Sequence, residues 1–227
     1  VDQSYELAQD LHELATLCQK QNQPTAAIGH ARRAVDEFEC LDRRFPETLA
    51  YETGLYVASD ALSRMLGLSN ETKAALEQST RARTVLESLM ARNPKNRVFP
   101  LDLARCHTLI GRLQTRRRAY ADALQSFQHA VDLLESTPQL DGENNYQLAV
   151  NLSLSIPLMG ASSDGPAPDD ESALSAGDRL RRKVYGNRAM AALEKARTGG
   201  LTNPELYQND ADLDALGGAA DVGVGDG

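Results

Sequence analysis

Apolar residues recur along most of the chain three and four positions apart, the period of a helix with one buried face. In residues 4–20 they fall at Leu7, Leu11, Leu14, Ala15 and Cys18. Residues 21–25 break the pattern, and Pro24 suits the first turn of a following helix, where its missing N–H costs nothing. That second helix carries Ala27, Ala31 and Ala34 on one face and is expected to end near Phe45-Pro46. A third, over residues 51–66, stops near Gly67. Ser69, Asn70 and Glu71 offer N-cap residues for a fourth, roughly 71–91, which Asn93-Pro94 closes. Residues 104–135 read as two more helices folded back on each other. Gly111 and Ala123 are small enough to let them cross closely, and Phe127 and Ala130 continue the stripe of the second.

The landmarks repeat. Ala27, Ala75 and Ala123 are 48 residues apart, as are Leu7, Leu55 and Leu103, and as are Pro46 and Pro94. A helical pair cannot bury its own apolar face, so stacked neighbours must supply the missing core. The period predicts an all-α chain, a right-handed superhelix of antiparallel helical pairs. The array is expected over residues 1–160, with pairs at about 4–45, 50–92 and 99–136 and the first helix of a fourth pair at 145–159. Residues 161–177, rich in Ser, Pro, Gly and Asp, read as a flexible acidic insertion. The last repeat helix and a short capping helix are expected within 178–216, and the glycine-rich residues 217–227 as a disordered tail.

Composition sharpens this only in places. Hydrophobic residues make up 41 % of the 227, aromatics 5 %, with no Trp. Such an Ala/Leu-rich chain favours close-packed helices over a sandwich of sheets. The net charge of −8 is carried by the insertion (Asp164, Asp169, Asp170, Glu171) and the end (Glu205, Asp210, Asp212, Asp214, Asp221, Asp226), neither of which holds a base. The remainder is close to neutral, which argues against nucleic acid or an anionic membrane surface as partner. Cys18, Cys40 and Cys106 are far apart and read as reduced thiols, not a zinc site. No run approaches the roughly 18 apolar residues of a membrane span. The chain opens at Val1, not Met, and is expected to be a piece of a longer protein, cytoplasmic in location.

Residues 104–135 resemble a degenerate tetratricopeptide repeat (TPR). The slots of that signature hold His107, Ile110, Gly111, Gln114, Ala123, Phe127 and Glu135. The small residues match, while the signature's Trp, Tyr and Pro are missing, and 48 exceeds the usual period of about 34. The ending is more specific. Residues 187–193 (NRAMAAL) through Ala196, then Gly200, Asn203-Pro204 and residues 209–216 (NDADLDAL), are similar to the C-terminal regions of planctomycete-type bacterial serine/threonine protein kinases that carry such repeats. Tyr5-Glu6-Leu7-Ala8 and Tyr146-Gln147-Leu148-Ala149, at the starts of first helices, look like the same family. The acidic insertion departs from it. The resemblance implies a catalytic domain upstream of Val1.

Catalytic chemistry is not expected in this chain. It has no glycine-rich phosphate loop, His-Arg-Asp loop, Asp-Phe-Gly, Walker A or HExxH sequence. His107 fills a core-type slot and reads as a packed histidine, and His12-Glu13 has no second ligand at helical spacing. No cofactor and no metal are expected. Stacked repeats form a groove lined by the first helix of each pair; its candidate residues are Tyr5, Gln9, His12, Tyr51, Ser59, Asp102, Arg105 and Asn151. Arg112, Arg116, Arg117 and Arg118 form the concentrated basic patch. They read as a solvated turn, or else as a dock for an acidic or phosphorylated segment, the chain's own insertion among them.

Together these features point to a non-catalytic protein–protein interaction module, taking a protein or peptide partner and serving as the regulatory or scaffold C-terminal part of a bacterial serine/threonine kinase. A stand-alone TPR adaptor is the alternative, and an enzyme on a helical scaffold is more remote.

Overall fold

The computed structural model describes residues 3–162, 165–168, 170–201 and 210–216. Asp164, Asp169, Asn203-Pro204 and the expected tail lie outside the described residues. Among those described there is no strand, only an isolated bridge between Ser162 and Gly165. The architecture is the all-α one expected from the periodicity. It divides into two compact units at Arg117/Arg118.

The first unit holds five helices: α1 (Gln3–Lys20), α2 (Pro24–Arg44), α3 (Leu49–Leu68), α4 (Thr72–Arg92) and α5 (Val98–Arg116). Each packs on its neighbour in sequence, and α1 also meets α3, as α3 meets α5. The odd-numbered helices therefore share one layer. Pro24 opens α2 as its first residue. The turns after α1 and α3 are built alike, with Asn22 and Asn70 in the left-handed region (φ 56° and 61°). The next N–H then reaches back over the helix end, from Gln23 to the Cys18 carbonyl and from Glu71 to that of Leu66, both at 2.9 Å. Arg118, 48 residues beyond Asn70, has the same φ of 61°.

Alanine makes the close packing possible. Ala27, Ala31 and Ala34 of α2 and Ala75 and Ala82 of α4 are buried, and their short side chains let Leu55, Leu62, Met65 and Leu66 of α3 fill the space between. A polar seam runs through this core. The Ser63 and Ser79 hydroxyls share the Ala75 carbonyl, at 2.8 and 2.9 Å, and lie 2.5 Å from each other, while the Cys106 thiol donates to the Ser79 carbonyl at 3.2 Å. These groups are satisfied locally, so burial costs little.

Burial, reinforced by the nearby Asp60 carboxylate, pushes the Cys106 thiol up to about 12. At pH 8 almost none of it is thiolate, the reactive form. An alkylating reagent at that pH is expected to modify exposed Cys40 at once and Cys106 only as the unit unfolds. Labelling along a urea titration, read by peptide mass spectrometry, should follow the loss of helicity. Labelling of native Cys106 at the Cys40 rate would disprove the seam.

The second unit contains α6 (Tyr120–Ser136), α7 (Gly142–Ser155), α8 (Ala176–Thr198) and 3-10 segments at Ile156–Leu158, Glu171–Ala173 and Ala211–Leu216. α7 lies against both α6 and α8. Ala123 and Phe127 of α6 pack with Leu158, and Ala189, Ala192, Leu193 and Ala196 form the buried stripe of α8. Both later helices start on a capping side chain: Asp141 accepts from the Asn144 N–H at 2.8 Å, and Ser175 from that of Asp178 at 3.0 Å. Within the acidic insertion, Ala167 and Leu174 are buried. Leu174 sits over Gly160, whose φ of 95° and lack of Cβ leave room for it. The Ala211–Leu216 segment lies on α7, burying Leu213, and the Tyr146 hydroxyl donates to the Asp210 carboxylate. Burial, with that contact, holds the Tyr146 phenol well above its ordinary pKa.

Candidate functional site

The odd-numbered layer of the first unit carries an opening between two of its helices. A cavity of about 320 Å³ lies between α1 and α3, floored by Phe38 of α2. From α1 it is lined by Tyr5, Gln9, His12 and Glu13, which fall one turn apart on one face. From α3 it is lined by Gly54 and Val57. Four aromatic rings cluster at one end: Tyr5 stands edge-on to Phe38 at 6.0 Å and tilts against Tyr51 at 5.4 Å, and Tyr51 meets Phe45 at 6.0 Å. Gln9 donates to the Tyr5 hydroxyl at 3.2 Å. The floor exists because Gly54 has no side chain; a Cβ there would overlap the Phe38 ring.

His12 carries the chemistry of this cavity. Its Nδ1 is buried with no hydrogen-bond partner, while the residue itself is half-buried on the cavity wall. Burial lowers its pKa from the ordinary 6.5, Arg64 adds to the shift and Glu13 opposes it. The ring is therefore neutral at pH 7 and offers one directed hydrogen bond. Further along the same layer, Tyr56 donates to Asp102 at 2.8 Å and Arg105 to the other oxygen of Asp102 at 3.2 Å, tying α3 to α5. Asp60 pairs with Arg64 at 2.7 Å; its own pKa is raised by burial and, less strongly, by Asp102, against the pull of Arg64.

Of the expected groove residues, Tyr5, Gln9 and His12 line the cavity, Tyr51 borders it through its ring contacts, and Asp102 and Arg105 lie on α5. Ser59 and Asn151 do not belong to a groove surface. Both are fully buried, and Asn151 spends its amide on the Gln147 carbonyl of its own helix at 2.8 Å. Helices packed on two sides bury most of their circumference, so the periodicity leaves no free face at these positions. Glu13, Phe38, Gly54 and Val57 were not among the expected residues, and only a glycine in a helix interior hinted at the close approach. Among the basic residues, Arg116 donates to the Gly67 carbonyl at 2.7 Å and so caps the end of α3. Arg112 and Arg117 are exposed at the end of α5, and Arg118 is exposed in its left-handed turn. His107 is buried within α5.

No protein-family model matches the chain, and no curated protein matches it. Solved structures do. The apo form of RapI matches with a TM-score of 0.57 at 14 % identity, over 94 % of this chain and 67 % of that one. A Podosopora anserina kinesin light chain of nearly identical TPR-like repeats matches with a TM-score of 0.50 at 13 % identity, over 98 % of this chain and 100 % of that one. At such identities the likeness is one of fold: the chain is an all-α, TPR-like helical-repeat protein.

Proposed function

We propose that this chain is a non-catalytic protein–protein interaction module, which takes a peptide segment of a partner in the α1–α3 cavity. The observation that carries the reading is one cavity lined by the half-buried His12 together with the Tyr5 and Phe38 rings, with Tyr51 standing against Tyr5 at its border. Aromatic side chains supply rigid contact area, and one directed polar group fixes register. We further propose that the module is the regulatory or scaffold C-terminal part of a bacterial serine/threonine kinase acting in the cytoplasm. What supports this is the likeness of residues 187–196, Gly200, Asn203-Pro204 and residues 209–216 to the C-terminal regions of such kinases. Free cysteines fit a reducing compartment.

The test is selection of peptides from a displayed random library on the intact chain, followed by affinities of the selected peptides for variants. Tyr5→Ala and His12→Ala should each weaken binding by about tenfold, roughly 1.4 kcal/mol, while Leu180→Ser on α8 should not. Affinity should hold between pH 8 and 7 and fall as the pH drops below 6.5, where His12 begins to acquire charge beside Arg64. Selected peptides indifferent to both substitutions, or phosphotransfer by the isolated chain, would refute the proposal.

A further inference from the structure

The turns that end α1 and α3 share one backbone but not one set of side chains. At the end of α3 the Gly67 carbonyl accepts twice, from the Asn70 N–H at 3.3 Å and from the Arg116 guanidinium of α5 at 2.7 Å. One period earlier the same carbonyl is that of Gln19, which accepts from the Asn22 N–H at 3.0 Å. The residue one period before Arg116 is Leu68, whose side chain has no N–H to give. It is 70 % exposed.

A cavity of about 520 Å³ lies where that guanidinium is missing. Gln19, Asn22 and Pro24 line it from the first pair, and Met65, Leu68 and Ser69 from the second. None of its described lining residues is basic. Lys20 holds the position of Leu68 in α1 and so lies on the face turned away from α3. Arg32, on the neighbouring α2, is spent on Glu71 at 3.2 Å. The opening is therefore set by the residue at 68, within the first unit. It shares no residue with the His12 cavity and lies towards the opposite ends of α1 and α3.

The chemistry of the lining matches the group that fills the equivalent place. The end of α1 is the negative pole of its helix dipole and favours a cation. The Gln19 carbonyl, the Gln19 and Asn22 side-chain amides and the Ser69 hydroxyl offer acceptors, and Met65 and Leu68 offer an apolar bed. We propose that this cavity binds an arginine side chain presented by a partner polypeptide. Its guanidinium donates to the Gln19 carbonyl as Arg116 does to that of Gly67, and its methylenes lie on Met65 and Leu68. Lysine suits the place less, because its compact ammonium holds water strongly and lacks the planar fork.

The probe is arginine blocked at both ends, as the Nα-acetyl methylamide, titrated into the full chain and followed by NMR shifts of backbone amides. The lysine and citrulline counterparts are titrated alongside. Citrulline keeps the shape and loses the charge, while lysine keeps the charge and loses the fork. Blocked arginine should shift Asn22, Gln23, Ser69 and Asn70 together and bind about fivefold or more tightly than either counterpart. Leu68→Arg should fill the cavity from within, abolish these shifts and melt no lower than the parent. Leu68→Glu should tighten blocked arginine by about threefold at low salt, with the gain lost at high salt. Tyr5→Ala, in the other cavity, should leave the shifts unchanged, so the two sites stand or fall separately. Shifts spread away from these two turns, equal binding of citrulline or of lysine, or binding that survives Leu68→Arg would each overturn the proposal. A clear preference for free arginine over the blocked form would overturn it too, by making the site one for the amino acid.

Discussion

Gly54→Val is expected to cost about 3 kcal/mol of stability and to abolish peptide binding in the α1–α3 cavity. A Cβ at this position overlaps three carbons of the Phe38 ring. Phe38 is buried with Tyr5 edge-on against it, so its ring can yield only into the cavity that it floors. Alanine at 54 brings a helix-propensity gain of about 1 kcal/mol, which offsets part of the overlap. Valine brings the overlap with little of that gain. The order of stability is thus parent, then Gly54→Ala, then Gly54→Val, the reverse of what an exposed helical glycine gives. Urea midpoints measure it. Combining Gly54→Ala with Phe38→Leu separates the cause, since a smaller side chain at 38 should absorb the new methyl and make the pair less harmful than the sum. Strict additivity of the two would show that the ring contact is not what fixes Gly54.

The 48-residue period was legible because stacking repeats the same environment at Leu55 and Leu103 and at Ala27, Ala75 and Ala123. The phase of individual faces was less so. α3 buries residues around most of its circumference, among them Leu55, Ala58, Ser59, Leu62 and Ser63. A helix so enclosed has no apolar stripe to read, and Ser59 passes for surface because it is polar. Helix starts in the second unit show a different conflict. Tyr146 and Leu148 repeat the spacing of Tyr5 and Leu7, which places the start of α7 near Asn145. The Asp141 side chain nevertheless caps a helix that begins at Gly142. In the same way Ser175 starts α8 at Ala176, inside a segment whose Pro, Gly and acidic content reads as loop. Local capping chemistry there outweighs both the repeat register and the composition.

The cavity was half legible for a related reason. Tyr5, Gln9 and His12 share one face of one helix, so spacing alone groups them. Phe38 enters from α2, whose stripe marks it only as core. That it is also a floor depends on a glycine on a third helix. No single-helix pattern holds such information; it appears when three elements are placed together. The outer face of α1 is the converse case. Leu7, Leu14 and Leu17 look like ordinary core positions in sequence, and only their exposure sets them apart.

In the second unit the corresponding large effect is at Gly142. Gly142→Ala is expected to lower stability by about 3 kcal/mol or more, because the added methyl meets backbone and not a movable side chain. Its Cβ would stand 2.8 Å from the Leu201 nitrogen and 2.9 Å from the carbonyl oxygens of Ala196 and Gly199. Gly199 in turn faces the Gly142 nitrogen and Cα, at 3.0 and 3.1 Å from its own ideal Cβ position. Two glycines thus set the approach of the start of α7 to the end of α8. Relief requires the helices to part, and that movement also disturbs the Leu213 side chain and the Tyr146–Asp210 bond on α7. Gly186→Ala, on α8 with nothing within 4 Å of its ideal Cβ, is the internal control. There the change should raise stability by about 1 kcal/mol through helix propensity alone. Thermal melts of the two variants should therefore move in opposite directions, and a Gly142→Ala protein that melts with the parent would mean that α7 and α8 do not approach this closely in solution.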